Sequence, residues 1–119
     1  MLKLSDNFTR SEFKCNCGSC DYDTVDAELV VILQDLHDHF DAPVKVTSGN
    51  RCPDYNMQIG GAKNSYHPRG RAADVQVAGV LPGDVYAYLV TIYPSQYGIG
   101  KYNSFTHIDT RSTMARWGD

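Results

Sequence analysis

The sequence predicts an α+β domain in which two main helices pack on one side of a small antiparallel sheet. Apolar residues at three-to-four spacing mark Val25 to Phe40 and Pro82 to Tyr93 as amphipathic helices. Period-two alternation and turn-bounded apolar runs mark four short strands. A chain of 119 residues is long enough for one hydrophobic core and too short for two, so 1–119 is read as a single domain.

Ser5 to Phe13 is polar and mixed, and Thr9 or Ser11 can cap a short helical turn there. Cys15 to Tyr22 is a cysteine loop. In the first helix Val25, Leu29, Ile32, Leu33, Leu36 and Phe40 share one face. Asp23, Thr24 or Asp26 can cap its start, and Pro43 lies just beyond its end. Val44 to Thr47 alternates as a strand. Pro53 to Ile59 suits a short helix with Pro in its first turn, broken by Gly60-Gly61. Ala73 to Val77 alternates again and carries Asp74. The second helix has Val85, Tyr88, Leu89 and Ile92 on one side. Tyr97 to Tyr102 and Phe105 to Thr110 are strands joined by the turn-prone pair Asn103-Ser104. Repeats, low-complexity tracts and linkers are absent from the sequence.

A formal charge of −3 gives no support to a nucleic-acid partner. No stretch approaches the length of a membrane span, so a membrane partner is not expected either. Met1 to Arg10 lacks an apolar core of the secretory kind, so no signal peptide is expected. The expected state is a monomer.

The chemistry concentrates in two runs. Ser65-Tyr66-His67-Pro68-Arg69-Gly70-Arg71-Ala72-Ala73-Asp74 places an imidazole and a carboxylate seven residues apart, and Phe105-Thr106-His107-Ile108-Asp109 adds a second imidazole. Two imidazoles and one carboxylate form the ligand set of a catalytic zinc, with a fourth position for water. Residues two apart in a strand point the same way, so His107 and Asp109 share a face with Phe105 beside them. Asp74 sits on a neighbouring strand and His67 on the loop entering it. Gly70 and the small pair Ala72-Ala73 let that loop pass close to the sheet. His37 and His39 face roughly opposite ways on the first helix and read as surface residues.

Ser-x-His-x-x-Gly-x-Ala-x-Asp, followed by a late aromatic-x-His-x-Asp, resembles the zinc D-alanyl-D-alanine carboxypeptidase family. That family takes in VanY- and VanX-type peptidases, phage endolysins, murein endopeptidases and the hedgehog-like zinc fold. Thr47-Ser48-Gly49-Asn50-Arg51-Cys52-Pro53-Asp54-Tyr55-Asn56 is similar to its Ser-Gly-x-Arg-x-x-x-x-Asn segment. Gly60-Gly61-Ala62 through Asp74 looks like its metal loop. Tyr97-Gly98-Ile99-Gly100-Lys101-Tyr102 and Ala115-Arg116-Trp117 fit its short phage and bacterial branch. The match runs from about Asn7 to Trp117, nearly the whole chain.

The resemblance implies His67, Asp74 and His107 as ligands of one catalytic zinc. It implies hydrolysis of a peptide bond in bacterial cell-wall peptides, with Arg51 holding a substrate carboxylate or carbonyl. Ser65 and Tyr102 join Arg51 on the substrate side. Read without the family, Arg51 is a surface arginine in a turn. Many relatives carry a Glu shortly before the last histidine as general base. Here the only glutamates are Glu12 and Glu28, far upstream, so Asp109 is the expected catalytic base. Two other roles for Asp109 stay open. It is a zinc ligand with His107 as catalytic partner in one alignment, and an acceptor that orients an imidazole in another. His107 is preferred on the metal because imidazole is the better zinc donor.

Cys15, Cys17 and Cys20, with Cys52 distant, form a separate signal. Four thiolates can close a second, structural zinc, and the same four can form two disulfides. In either case the loop is tied to the segment carrying Arg51.

The resulting expectation is a small zinc metallopeptidase, carboxypeptidase or endopeptidase, acting on peptidoglycan stem or cross-link peptides in the manner of a phage endolysin. It would be made in the host cytoplasm and reach the wall after release. The missing Glu keeps a second reading open: a non-catalytic binding module on the zinc fold, or a phage structural component.

Overall fold

The computed structural model describes residues 3–14, 16, 25–49 and 71–118. Chain order is β1 (Lys3–Ser5), β2 (Phe8–Thr9), a 3-10 turn (Arg10–Phe13), α1 (Ala27–Phe40), β3 (Val44–Ser48), β4 (Ala72–Val77), α2 (Pro82–Ile92), β5 (Gly98–Lys101), β6 (Thr106–Asp109) and β7 (Ala115–Gly118). The expected helix at Pro53 to Ile59 and the cysteine loop lie outside the described residues.

β1 and β2 pair as a small hairpin, and the other strands form a sheet in the order β3-β4-β6-β5-β7. The pairs β3–β4, β4–β6 and β6–β5 are antiparallel. The sheet is nevertheless mixed, because β7 lies parallel to β5. This corrects the expectation of an antiparallel sheet. Four residues of modest apolar content at the chain's end gave no alternation to read. β7 forms because β5 offers it a free edge.

Local sequence explains the element ends. Thr9 opens the 3-10 turn, and its backbone N–H donates to the Glu12 carboxylate at 2.7 Å. Asp26 occupies the N-cap position of α1, but its side chain makes no capping bond. Its Oδ2 instead accepts from Thr110 Oγ1 at 2.9 Å, tying the helix start to the end of β6. Asp41 ends α1 in the left-handed region at φ 49°. Pro82 takes the first turn of α2, where its missing N–H costs nothing.

One face of the sheet meets both helices. Leu29, Ile32, Leu33 and Leu36 of α1 and Val85 and Leu89 of α2 bury against Val75, Val77, Ile99 and Ile108. Full burial of each large side chain contributes about 1.5–3 kcal/mol, so this layer holds the fold together. Because side chains alternate, the opposite face carries the other half of each strand. Asp74, His107 and Gly100 follow one another across β4, β6 and β5, with Trp117 next on β7. Ala72, Asp109 and Gly98 form the adjacent row, with Ala115 at its end.

Candidate functional site

Register alone brings the first two site residues together. Asp74 and His107 are direct partners in the β4–β6 ladder, and Oδ1 of Asp74 lies 2.9 Å from Nδ1 of His107. Two residues along β6, Asp109 Oδ2 lies 2.7 Å from His107 Nε2. The imidazole is therefore held between two carboxylates, one on each nitrogen. All three side chains are buried, and Asp109 is 0% exposed.

Asp109 takes part in five hydrogen bonds among the described residues. Its Oδ1 accepts from Arg111 Nε at 2.8 Å and from the backbone N–H groups of Gly98 and Arg111 at 3.2 Å each. Its Oδ2 accepts from Arg111 Nη2 at 2.8 Å besides His107. Burial works against the charged form of Asp109. The bonds from His107 and Arg111 outweigh it and hold the carboxyl well below the usual carboxylate range. Burial also disfavours a charge on His107, but its hydrogen bonds to Asp109 and Asp74 prevail and raise its pKa. A carboxylate only accepts, so a ring N–H on either nitrogen would donate to the carboxylate beside it.

Two glycines make the room. A Cβ on Gly98 would lie 2.5 Å from both Asp109 oxygens and from Arg111 Nε. A Cβ on Gly100 would lie 2.3 Å from Trp117 Nε1. The indole thereby reaches His107, with ring centroids 5.1 Å apart, and lies 5.2 Å from the Arg111 guanidinium carbon. Trp117 Nε1 donates to Tyr102 Oη at 2.8 Å, and the Tyr102 ring stacks on Phe105 at 4.5 Å.

Asp74, His107 and Asp109 thus stand in one neighbourhood, with Tyr102 reaching it through Trp117. Arg51, Ser65 and His67 lie outside the described residues, as do Cys15, Cys17, Cys20 and Cys52. Among the described residues no three His, Cys, Asp or Glu side chains form a metal cage. The donor pair that is present still suits zinc. An imidazole nitrogen and a carboxylate oxygen side by side are donors that zinc takes, and their 2.9 Å separation would open to about 3.3–3.6 Å around a tetrahedral ion with ligands at about 2.0–2.2 Å. His37 and His39 are away from this site. His37 contacts Asp38 at 3.4 Å, and His39 stacks on Tyr88 at 3.7 Å.

Sequence reasoning missed Arg111, and it used Gly98, Gly100 and Trp117 only as family pattern. A signal was available. Glycines two apart in a strand mark a face that something approaches closely, and Asp109-x-Arg111 has the spacing of a same-side ion pair.

The peptidase M15 family matches residues 6–109. The chain belongs to that family. Asp74, His107 and Asp109 all fall within the matched span. The chain is also 32% identical over 73 residues to the peptidoglycan L,D-endopeptidase MepK of Escherichia coli K12, which covers 57% of this chain and 40% of that protein. The protein of the same name from Shigella flexneri matches with the same figures. The chain thus spans about two fifths of the length of these curated relatives.

Proposed function

We propose that this chain is a zinc-dependent peptidase that cuts peptide bonds within bacterial peptidoglycan. The observation that carries the reading is His107 fixed between Asp74 and Asp109 on adjacent strands, in a chain of the peptidase M15 family. The relatives named as peptidoglycan L,D-endopeptidases favour internal cleavage of the peptide over removal of a terminal residue.

His67, Asp74 and His107 would hold the zinc, and the chemistry it would supply there is a water of lowered pKa and a polarised scissile carbonyl. The remaining steps belong to the chain. Asp109 would keep a proton on Nε2, the tautomer in which Nδ1 carries the lone pair a metal needs. Metal and proton compete for Nδ1, so occupancy falls as pH falls. The Trp117 ring lies beside His107, and Tyr102 accepts from its indole nitrogen. Arg51 and Ser65 contact the substrate by family resemblance, with Arg51 taking a carboxylate.

Asp109 fits the orienting role better than the base role first given to it. It is wholly buried, and both oxygens are already engaged. A base must reach the water it deprotonates. The same fact is the specific observation favouring the alternative, a zinc-fold module that binds wall peptides without cutting them.

The cysteines would hold a second zinc or two disulfides. Action after release, as an endolysin-like monomer, belongs to the same proposal.

Purified peptidoglycan incubated with the protein, with and without a chelator, tests it. Mass spectrometry should find peptides cut internally in the zinc-loaded sample alone. Binding to the wall without any released fragment would favour the module.

A further inference from the structure

Arg111 stands two residues beyond the end of the site strand, and the sequence motifs do not include it. Its guanidinium makes a two-pronged contact with Asp109, Nε to Oδ1 and Nη2 to Oδ2, both at 2.8 Å. Its own backbone N–H adds a third bond to Oδ1. Such a fork fixes the plane of a carboxylate as well as its position. The plane matters here because the second lone pair direction on Oδ2 is the one that meets His107 Nε2 at 2.7 Å.

Charge balance gives the same assignment. Asp74 and Asp109 flank one imidazole in a buried setting. Arg111 pairs with Asp109 and offsets its charge. Asp74 and Nδ1 of His107 lie on the other side of the imidazole from that pair. The neighbours are arranged around this contact. Gly98 lacks the Cβ that would strike the fork, and the Trp117 ring lies 5.2 Å from the guanidinium carbon.

We propose that Arg111 is a positioning residue, which by forking onto Asp109 aims His107 at the metal position beside Asp74. The inference rests on the reading of His107 as a zinc ligand. It predicts a graded dependence of metal affinity on a side chain that does not touch the metal.

The test uses the full chain and zinc alone, with affinity read by chelator competition and ligand geometry read from the visible spectrum of the cobalt-substituted protein. Arg111→Ala should weaken zinc binding about tenfold to a hundredfold and shift the cobalt spectrum, in metal-free protein that melts lower than wild type but still cooperatively. Arg111→Lys keeps the charge without the fork and should fall between the two. Millimolar guanidinium should restore much of the affinity of Arg111→Ala. Zinc affinity within twofold of wild type in Arg111→Ala overturns the inference, and full affinity in Arg111→Lys overturns the need for a fork. If Arg111→Ala does not fold, Arg111→Lys and Arg111→Gln are judged by the same limits. His107→Ala separates the two levels. Zinc binding unaffected by His107→Ala defeats the metal reading itself. Loss in His107→Ala without loss in the Arg111 variants defeats this inference alone.

Discussion

Gly98 stands directly opposite Asp109 in the β5–β6 ladder, and its missing side chain is the space in which the Asp109–Arg111 ion pair forms. A methyl group there would meet both carboxylate oxygens at 2.5 Å. Gly98→Ala should therefore push the carboxylate off His107. Overpacking of this kind costs about 1–3 kcal/mol, read as a lower urea midpoint. Unchanged stability and unchanged zinc affinity would show that the sheet yields freely at this point, against the close fit described.

His107→Ala removes the group that keeps two buried carboxylates apart in charge. Asp74 loses its Nδ1 partner and Asp109 its Nε2 partner. Breaking a buried ion pair by removing one partner costs about 3–5 kcal/mol. Unfolding in chelator should show this loss, and elemental analysis should show about one zinc fewer per chain. Equal zinc in the two proteins would place the metal elsewhere.

Much of this was legible in the sequence because its signals are local. α1 and α2 follow from apolar spacing, and both begin within two residues of the expected start. The site strands follow from alternation, which puts Asp74 and His107 on neighbouring strands. β7 was not legible, since its four residues are held by a parallel edge contact with β5 rather than by a pattern of their own. The surroundings of Asp109 were not legible either. Sequence gives a carboxylate on the face of His107, and only the fold shows that Arg111, Gly98 and His107 bond both its oxygens.

Tyr88 offers a pH test away from the metal. Its hydroxyl donates to Asp35 Oδ2 at 2.6 Å, and its ring stacks on His39. Burial, then the Asp35 bond and charge, push its pKa up to about 12. The unfolded value is about 10, so the stability linked to this proton is complete below about pH 10 and is lost as pH rises towards the folded value. The stability difference between wild type and Tyr88→Phe should be flat below that point and shrink above it. The tyrosinate absorbance of wild type minus Tyr88→Phe should titrate near 12. A midpoint near the ordinary tyrosine value would show that the Asp35 contact is not held in solution.

Asp109→Asn decides between the two roles left for that residue. The substitution keeps size and removes the charge. An amide presents one oxygen in place of two, so it cannot accept from both prongs of Arg111 and from His107 Nε2 together. If Asp109 orients His107, zinc affinity should fall about tenfold to a hundredfold and the cobalt spectrum should change. Raising zinc to saturation should then recover a large part of the turnover. If Asp109 is instead the base, zinc affinity should stay near wild type, and turnover at saturating zinc should remain about a hundredfold down. The buried, fully engaged carboxylate leads us to expect the first pattern. Wild-type affinity with collapsed turnover would return Asp109 to the role of base.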